Sequence, residues 1–297
     1  MNQGKRKLLS SFLILSSILA FAQQNITLPD VIVVEDSIKS APEYSGSTSR
    51  EADLLHMDLE IKPDWKAHDV KGKADIYLKA IFAPIDSIHL DAKEYKIHHV
   101  AVVTGGVKNE AAYRYDGAML HIALGRFYTK DEAIHLFVDY TAQPDSVKGR
   151  DGRAIRKGKG FYFIDSTAEY SKSFWTQGEP ESNSCWFPTI DKPYEKFTHQ
   201  IGITVDSSYQ TLSNGLLEFR TQNGDGTKTD YWKMDMPHAP YLVMVAAGDF
   251  DTTSTRWNGK LVRYYVEPKW KTSAVDIFEH TPEMLTLFSD LLNVPYP

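Results

Sequence analysis

The residues whose types and spacing could do chemistry crowd into one stretch, Phe174 to Pro193, which reads F-W-T-Q-G-E-P-E-S-N-S-C-W-F-P-T-I-D-K-P. Gln177 and Glu179 stand two apart, so in an extended segment both side chains project to the same side. A carboxylate beside an amide oxygen suits a ligand ammonium group, the carboxylate supplying charge and the amide a directed acceptor. On its own the pair also reads as two solvated loop side chains, the commoner case. Cys185 is the single cysteine, so no disulfide forms within the chain. Set between Ser184 and Trp186, it reads as a buried small side chain rather than a nucleophile. None of the ten histidines lies three or four residues from another, so no one helix presents two of them to a metal. Neither a G-x-S-x-G nucleophile turn nor a phosphate-binding glycine loop is present.

The stretch resembles the Q-x-E…F-P-x-x-D-x-P segment of the aminopeptidase N-like zinc metallopeptidases, the gluzincins. A second run, M-P-H-A-P-Y-L-V-M-V-A-A-G-D-F from Met236 to Phe250, is similar to the last strand before their catalytic domain. Asn293 to Pro297 resembles their short lead-in to the catalytic core. The likeness covers about Asp53 to Pro297. It implies that Gln177 and Glu179 contact the free amine of a peptide substrate, and that Phe187, Pro188, Asp191 and Pro193 form the structural end of the loop. Ser184 stands where many members carry an arginine, a departure that weakens the carry-over of the loop's ion pairing but not of the amine contact.

The family's reaction needs zinc, held by H-E-x-x-H and a downstream glutamate, and a G-x-M-E-N strand upstream that helps bind the amine. This sequence contains neither motif. The resemblance therefore implies an N-terminal portion of a zinc-dependent aminopeptidase acting on peptides with free N-termini. That portion is expected to bind no zinc, to hold no catalytic residue and to be inactive alone. A reading from a different class is a non-catalytic secreted β-sandwich that binds a protein or glycan.

The 297 residues suffice for two domains or one large β domain. A net charge of −6 with no basic stripe argues against nucleic acid as a partner. Lys5, Arg6 and Lys7, the apolar run Leu8 to Leu19, and Ala20-Phe21-Ala22 read as a signal peptide over residues 1–22. The apolar run is short for a bilayer crossing, so export to the periplasm or the extracellular space without stable membrane insertion is expected. Residues 23–50 read as a tail, with a sequon at Asn25.

The elements that must position the stretch are strands. Leu55, Met57, Leu59 and Ile61 alternate with polar residues, and the pattern returns at Val70–Leu78, Ser87–Leu90, Ile97–Val103, Ala118–Leu124 and Ile134–Tyr140. Lys148 to Lys159 reads as a solvated hairpin tip. Strands resume at Ile201, Ile203 and Val205, and then flank the turn at Asn223–Gly226. Tyr241 to Ala247 reads as a strand buried on both faces. Three prolines argue against a long helix or a central strand over Phe174–Pro193, and Trp175, Trp186 and Phe187 are expected to pin that loop to the core. After Leu261–Val266 the period becomes helical at Val275, Phe278, Leu285, Phe288 and Leu292, with Ser273 as a cap. Pro282 forces a kink or a second helix capped by Thr281. The expected architecture is mainly β: a β-sandwich or saddle over residues 51–250, then over 251–297 the incomplete start of a thermolysin-like catalytic domain.

Overall fold

The computed structural model describes residues 50–148 and 159–297. The signal peptide, the tail with Asn25 and most of the basic loop after Lys148 lie outside the described residues.

Alternation becomes pleated sheet where it was expected. The largest sheet has eight strands in the order β13-β14-β11-β1-β2-β8-β4-β5. Its strands are β1 (Ala52–Asp64), β2 (Asp69–Ala80), β4 (Tyr95–Thr104), β5 (Val107–Glu110), β8 (Ala133–Ala142), β11 (Phe197–Asp206), β13 (Leu216–Gln222) and β14 (Thr227–His238). Neighbours run antiparallel except β1 and β11, which pair in parallel with Ile61 opposite Ile203. A three-stranded sheet joins β3 (Ile85–Asp91), β7 (Met119–Tyr128) and β6 (Tyr113–Tyr115). A four-stranded sheet takes the order β12-β15-β10-β9, with β9 (Phe161–Ile164), β10 (Ser173–Thr176), β12 (Gln210–Ser213) and β15 (Val245–Gly248).

One cluster of buried side chains joins these three sheets. Leu59, Ile76 and Leu136 come from the large sheet, Ile88 and Leu120 from the second, and Phe161, Phe174 and Val245 from the third. Trp186 and Phe187 are buried in the same cluster, each stabilising the fold by about 1.5–3 kcal/mol. The remaining elements are a hairpin of β16 (Asp251–Trp257) and β17 (Lys260–Val266), then α1 (Ala274–Phe278) and α2 (Thr281–Leu292). Among the described residues no helix is long and apolar enough to cross a membrane.

Four local expectations need correction. Phe174–Thr176 is an interior strand, paired with β15 on one side and β9 on the other. The prolines begin at Pro180, after the strand has ended, so they do not interrupt its hydrogen bonds. Trp175 does not enter the core; it is 44% exposed, because the pleat turns Phe174 and Thr176 inward and Trp175 outward. Tyr241–Ala247 is not one strand. Pro240–Leu242 forms a 3-10 turn, and strand pairing resumes only at Val245. Pro282 lies in the first turn of a second helix, as one of the two alternatives required, but His280 rather than Thr281 precedes that helix, and neither Ser273 nor His280 caps with its side chain.

Candidate amine-binding loop

β10 delivers the chain to the rim of the four-stranded sheet, and the loop that follows is fixed by buried polar bonds. Gln177 N–H donates to Gly160 O at 2.9 Å, which closes the end of β10 against β9. Gly178 sits where a Cβ would lie 2.5 Å from Tyr241 O and 2.5 Å from Asn183 Nδ2, so no larger residue fits without displacing the backbone. Asn183, fully buried, donates from Nδ2 to Pro240 O at 2.6 Å and to Val243 O at 2.8 Å. Its Oδ1 accepts from Trp186 Nε1 at 2.7 Å. Tyr140 Oη donates to Trp186 O at 2.9 Å from the large sheet. These bonds hold Ser182–Phe187 as a buried floor.

Gln177 and Glu179 stand above that floor, and both are exposed. Gln177 Nε2 donates to Glu179 Oε2 at 3.2 Å, so the two side chains share a side, as the two-residue spacing implies. With Nε2 given to the carboxylate, the amide oxygen of Gln177 and the second carboxylate oxygen of Glu179 take no part in the contact between the two exposed side chains. Two acceptors and one negative charge are thus offered together, and such a set can hold a primary ammonium group. Trp175 also faces outward, stacked on Tyr162 with ring centroids 4.5 Å apart.

The structural end of the loop is buried. Asp191 Oδ2 accepts from Ser184 N–H at 2.9 Å, and Asp191 N–H donates to Asp91 Oδ2 at 2.9 Å. Burial raises the pKa of the Asp191 carboxyl, opposed by the Ser184 N–H and by the charge of Lys93. Ser184, in the arginine position of the family pattern, supplies no charge of its own. Lys93, in the loop between β3 and β4, acts instead, and its Nζ donates to Glu181 O at 2.6 Å. Phe187 and Pro188 are buried with Asp191, whereas Pro193 is exposed. Burial pushes the Cys185 thiol up to about 12, which keeps it protonated and unreactive at neutral pH.

Sequence reasoning finds Gln177 and Glu179 by residue type and spacing. It misses Asn183, Tyr140 and Lys93, which act across the fold. Asn183 bonds to residues 57 and 60 positions away, and no local period marks such a contact. Among the described residues no group of three or more His, Cys, Asp or Glu is placed to hold a metal ion.

Comparison with known proteins identifies the family. The Peptidase M1 N-terminal domain family matches residues 54–242. Aminopeptidase Q of Felis catus is 31% identical over 271 residues, covering 82% of this chain and 26% of its own length. Leucine aminopeptidase 2 of Vanderwaltozyma polyspora is 23% identical over 252 residues, covering 82% of this chain and 36% of its own. This chain thus spans about a quarter to a third of the length of these two relatives. A crystal structure of a two-domain M1 zinc metallopeptidase, a mutant bound to L-tryptophan, superposes with a TM-score of 0.61 at 18% identity, covering 82% of this chain and 54% of that one. The family match over residues 54–242, together with the fold, leads to one conclusion: the chain belongs to the M1 metallopeptidase family and carries its N-terminal domain.

Proposed function

We propose that this chain is the substrate-amine-binding portion of an exported zinc-dependent aminopeptidase, in which Gln177 and Glu179 hold the free α-amine of a peptide. The observation that carries the reading is the exposed Gln177–Glu179 pair, 3.2 Å apart on a rigid buried floor. Anchoring the ammonium there restricts an enzyme to the end of a peptide, since an internal amide carries no charge to pair with the carboxylate. Residues 51–250 form the N-terminal β-sandwich domain, and residues 251–297 begin the catalytic domain. The row Met284, Leu287, Phe288 and Leu291 on α2 is exposed at helical spacing, which supports a longer protein in which it is covered. Zinc and the catalytic glutamate belong to that further part, so this chain alone does not hydrolyse peptides. Residues 1–22 direct export and are removed.

Calorimetric titration of the purified chain with a short peptide, free or acetylated at its N-terminus, tests the reading. The free peptide should bind, and the acetylated one should bind about tenfold or more weakly; Glu179→Ala should cause a similar loss. Equal binding of both peptides, or an unchanged Glu179→Ala, would falsify the amine assignment. Zinc-dependent aminopeptidase activity from the purified 297-residue chain would overturn the claim of inactivity.

A further inference from the structure

Behind the amine loop lies a pair of histidines that the loop's chemistry does not use. His199 on β11 is buried, and its Nε2 lies 3.0 Å from His238 Nε2 at the end of β14. A bulge brings the rings together: between the pairs His199–Met234 and Phe197–His238, β14 spends two more residues than β11. The protons follow from the partners. His238 Nδ1 lies 3.0 Å from Ala239 O, and a carbonyl only accepts, so His238 carries its proton on Nδ1. His238 Nε2 is then a lone pair, and His199 must donate to it from Nε2. His199 Nδ1 is left as a lone pair, buried and without a partner among the described residues. The bond between the rings requires His238 to be neutral, and a second proton on His199 would sit on the buried Nδ1 with no acceptor among the described residues.

The pair also secures a turn. Ala239 O accepts from both His238 and the Leu242 N–H, the latter at 3.0 Å, so the imidazole clamps the carbonyl that closes Pro240–Leu242. That turn carries the Asn183 bonds at Pro240 O and Val243 O, and the Tyr241 carbonyl against Gly178.

We propose that the His199–His238 pair is an acid-released latch: protonation of His238 expels its ring from His199, frees the turn at Ala239–Val243, and loosens the Gly178–Trp186 loop that the turn holds. A protonated His238 would point a second N–H at the N–H of His199. Moving the His199 proton to Nδ1 would relieve that clash only by creating a buried donor with no acceptor. Nor, among the described residues, does a carboxylate act on either ring. The titratable groups that act on His199 are His238 on β14 and His56 on β1, and none is a carboxylate. The His56 ring is engaged by Thr198 Oγ1 at 2.6 Å and Asp58 Oδ1 at 3.2 Å. For His238 the effects are burial and the Ala239 carbonyl. His238, only partly buried, is the ring with a route to water.

The direction of the pH effect follows. Burial lowers the pKa of His238 below its ordinary 6.5, and burial with the neighbouring His238 takes His199 to about 3. The unfolded or released state therefore binds protons more readily, so the latch is intact above about pH 6.5 and is lost as pH falls below it.

Amide hydrogen exchange on the full chain, corrected for the intrinsic pH dependence, tests this with no use of peptide binding. A failure here leaves the amine reading standing, and the reverse holds too. Between about pH 7.5 and pH 5, protection at Ser182, Trp186 and Phe187 should fall about tenfold in the native protein. In His238→Gln, which hydrogen-bonds but does not titrate, protection should stay level. Nitrogen-15 spectra of the native imidazoles should show His199 Nε2–H and His238 Nδ1–H at neutral pH, and separation of the rings in acid. Level protection in the native protein overturns the latch, as does an equal fall in His238→Gln. So does a His199 proton that moves to Nδ1 while the loop stays protected.

Discussion

Asn183 is fully buried, and its side chain meets three partners, the carbonyls of Pro240 and Val243 and the indole of Trp186. Asn183→Ala strands all three polar groups away from water, so a loss on the order of 3 kcal/mol is expected from urea denaturation. Asn183→Asp should do no better, since a carboxylate has no proton to give the two carbonyls. A loss well below about 1 kcal/mol would mean that water replaces the amide. Gln177 and Glu179 are legible in the sequence because charge and spacing are local properties. Asn183 is not, nor is the pairing of His199 with His238. Each depends on which distant group arrives beside it, and the arrival is decided by sheet register.

Among the elements, β10 shows how alternation governs what a residue does. Phe174 points into the cluster between sheets and Trp175 points away, although both are aromatic and adjacent. Phe174→Ala should cost about 3–5 kcal/mol, as large buried side chains do. Trp175→Ala should cost only about 0.5–1.5 kcal/mol, the worth of its stacking on Tyr162. Denaturation midpoints of the two variants in one buffer check the contrast, and equal losses would contradict the assigned faces. The strand is hard to read from sequence because four residues are too few to show a period against the proline-rich run behind them. Long strands such as β1 and β2 declare themselves through repetition. The run Tyr241–Ala247 misleads for another reason. It is continuously apolar, yet Asn183 and Asn214 take its carbonyls, with Asn214 Nδ2 donating to Leu242 O at 3.0 Å, and a turn replaces the first half of the strand.

At the scale of the whole molecule, the buried cluster draws on three sheets and includes no residue beyond Ala247. Residues 251–297 touch the rest through bonds such as the part-buried one from Ser171 N–H to Glu267 Oε1 at 3.2 Å. A chain ending at residue 250 should therefore keep a cooperative thermal transition within a few degrees of the full chain. Loss of that transition would show that the C-terminal segment completes the core. Strand positions and the mainly β class are legible from alternation, but the order of strands is not, because any apolar face satisfies any other. The parallel pairing of β1 with β11 is the clearest instance. His56 meets Thr198 across 142 positions of sequence, and between them lie the whole three-stranded sheet and two strands of the four-stranded one. That pairing carries a consequence in time. During synthesis β1 emerges long before its neighbour, and one of its edges stays bare until Phe197–Asp206 has left the ribosome, roughly 10 s later at ordinary elongation rates. Closure of the large sheet is consequently a late and non-local event. Refolding belongs to the slow class governed by chain topology, on the order of milliseconds to seconds, and through that interval the nascent edge is the place where a chaperone is needed.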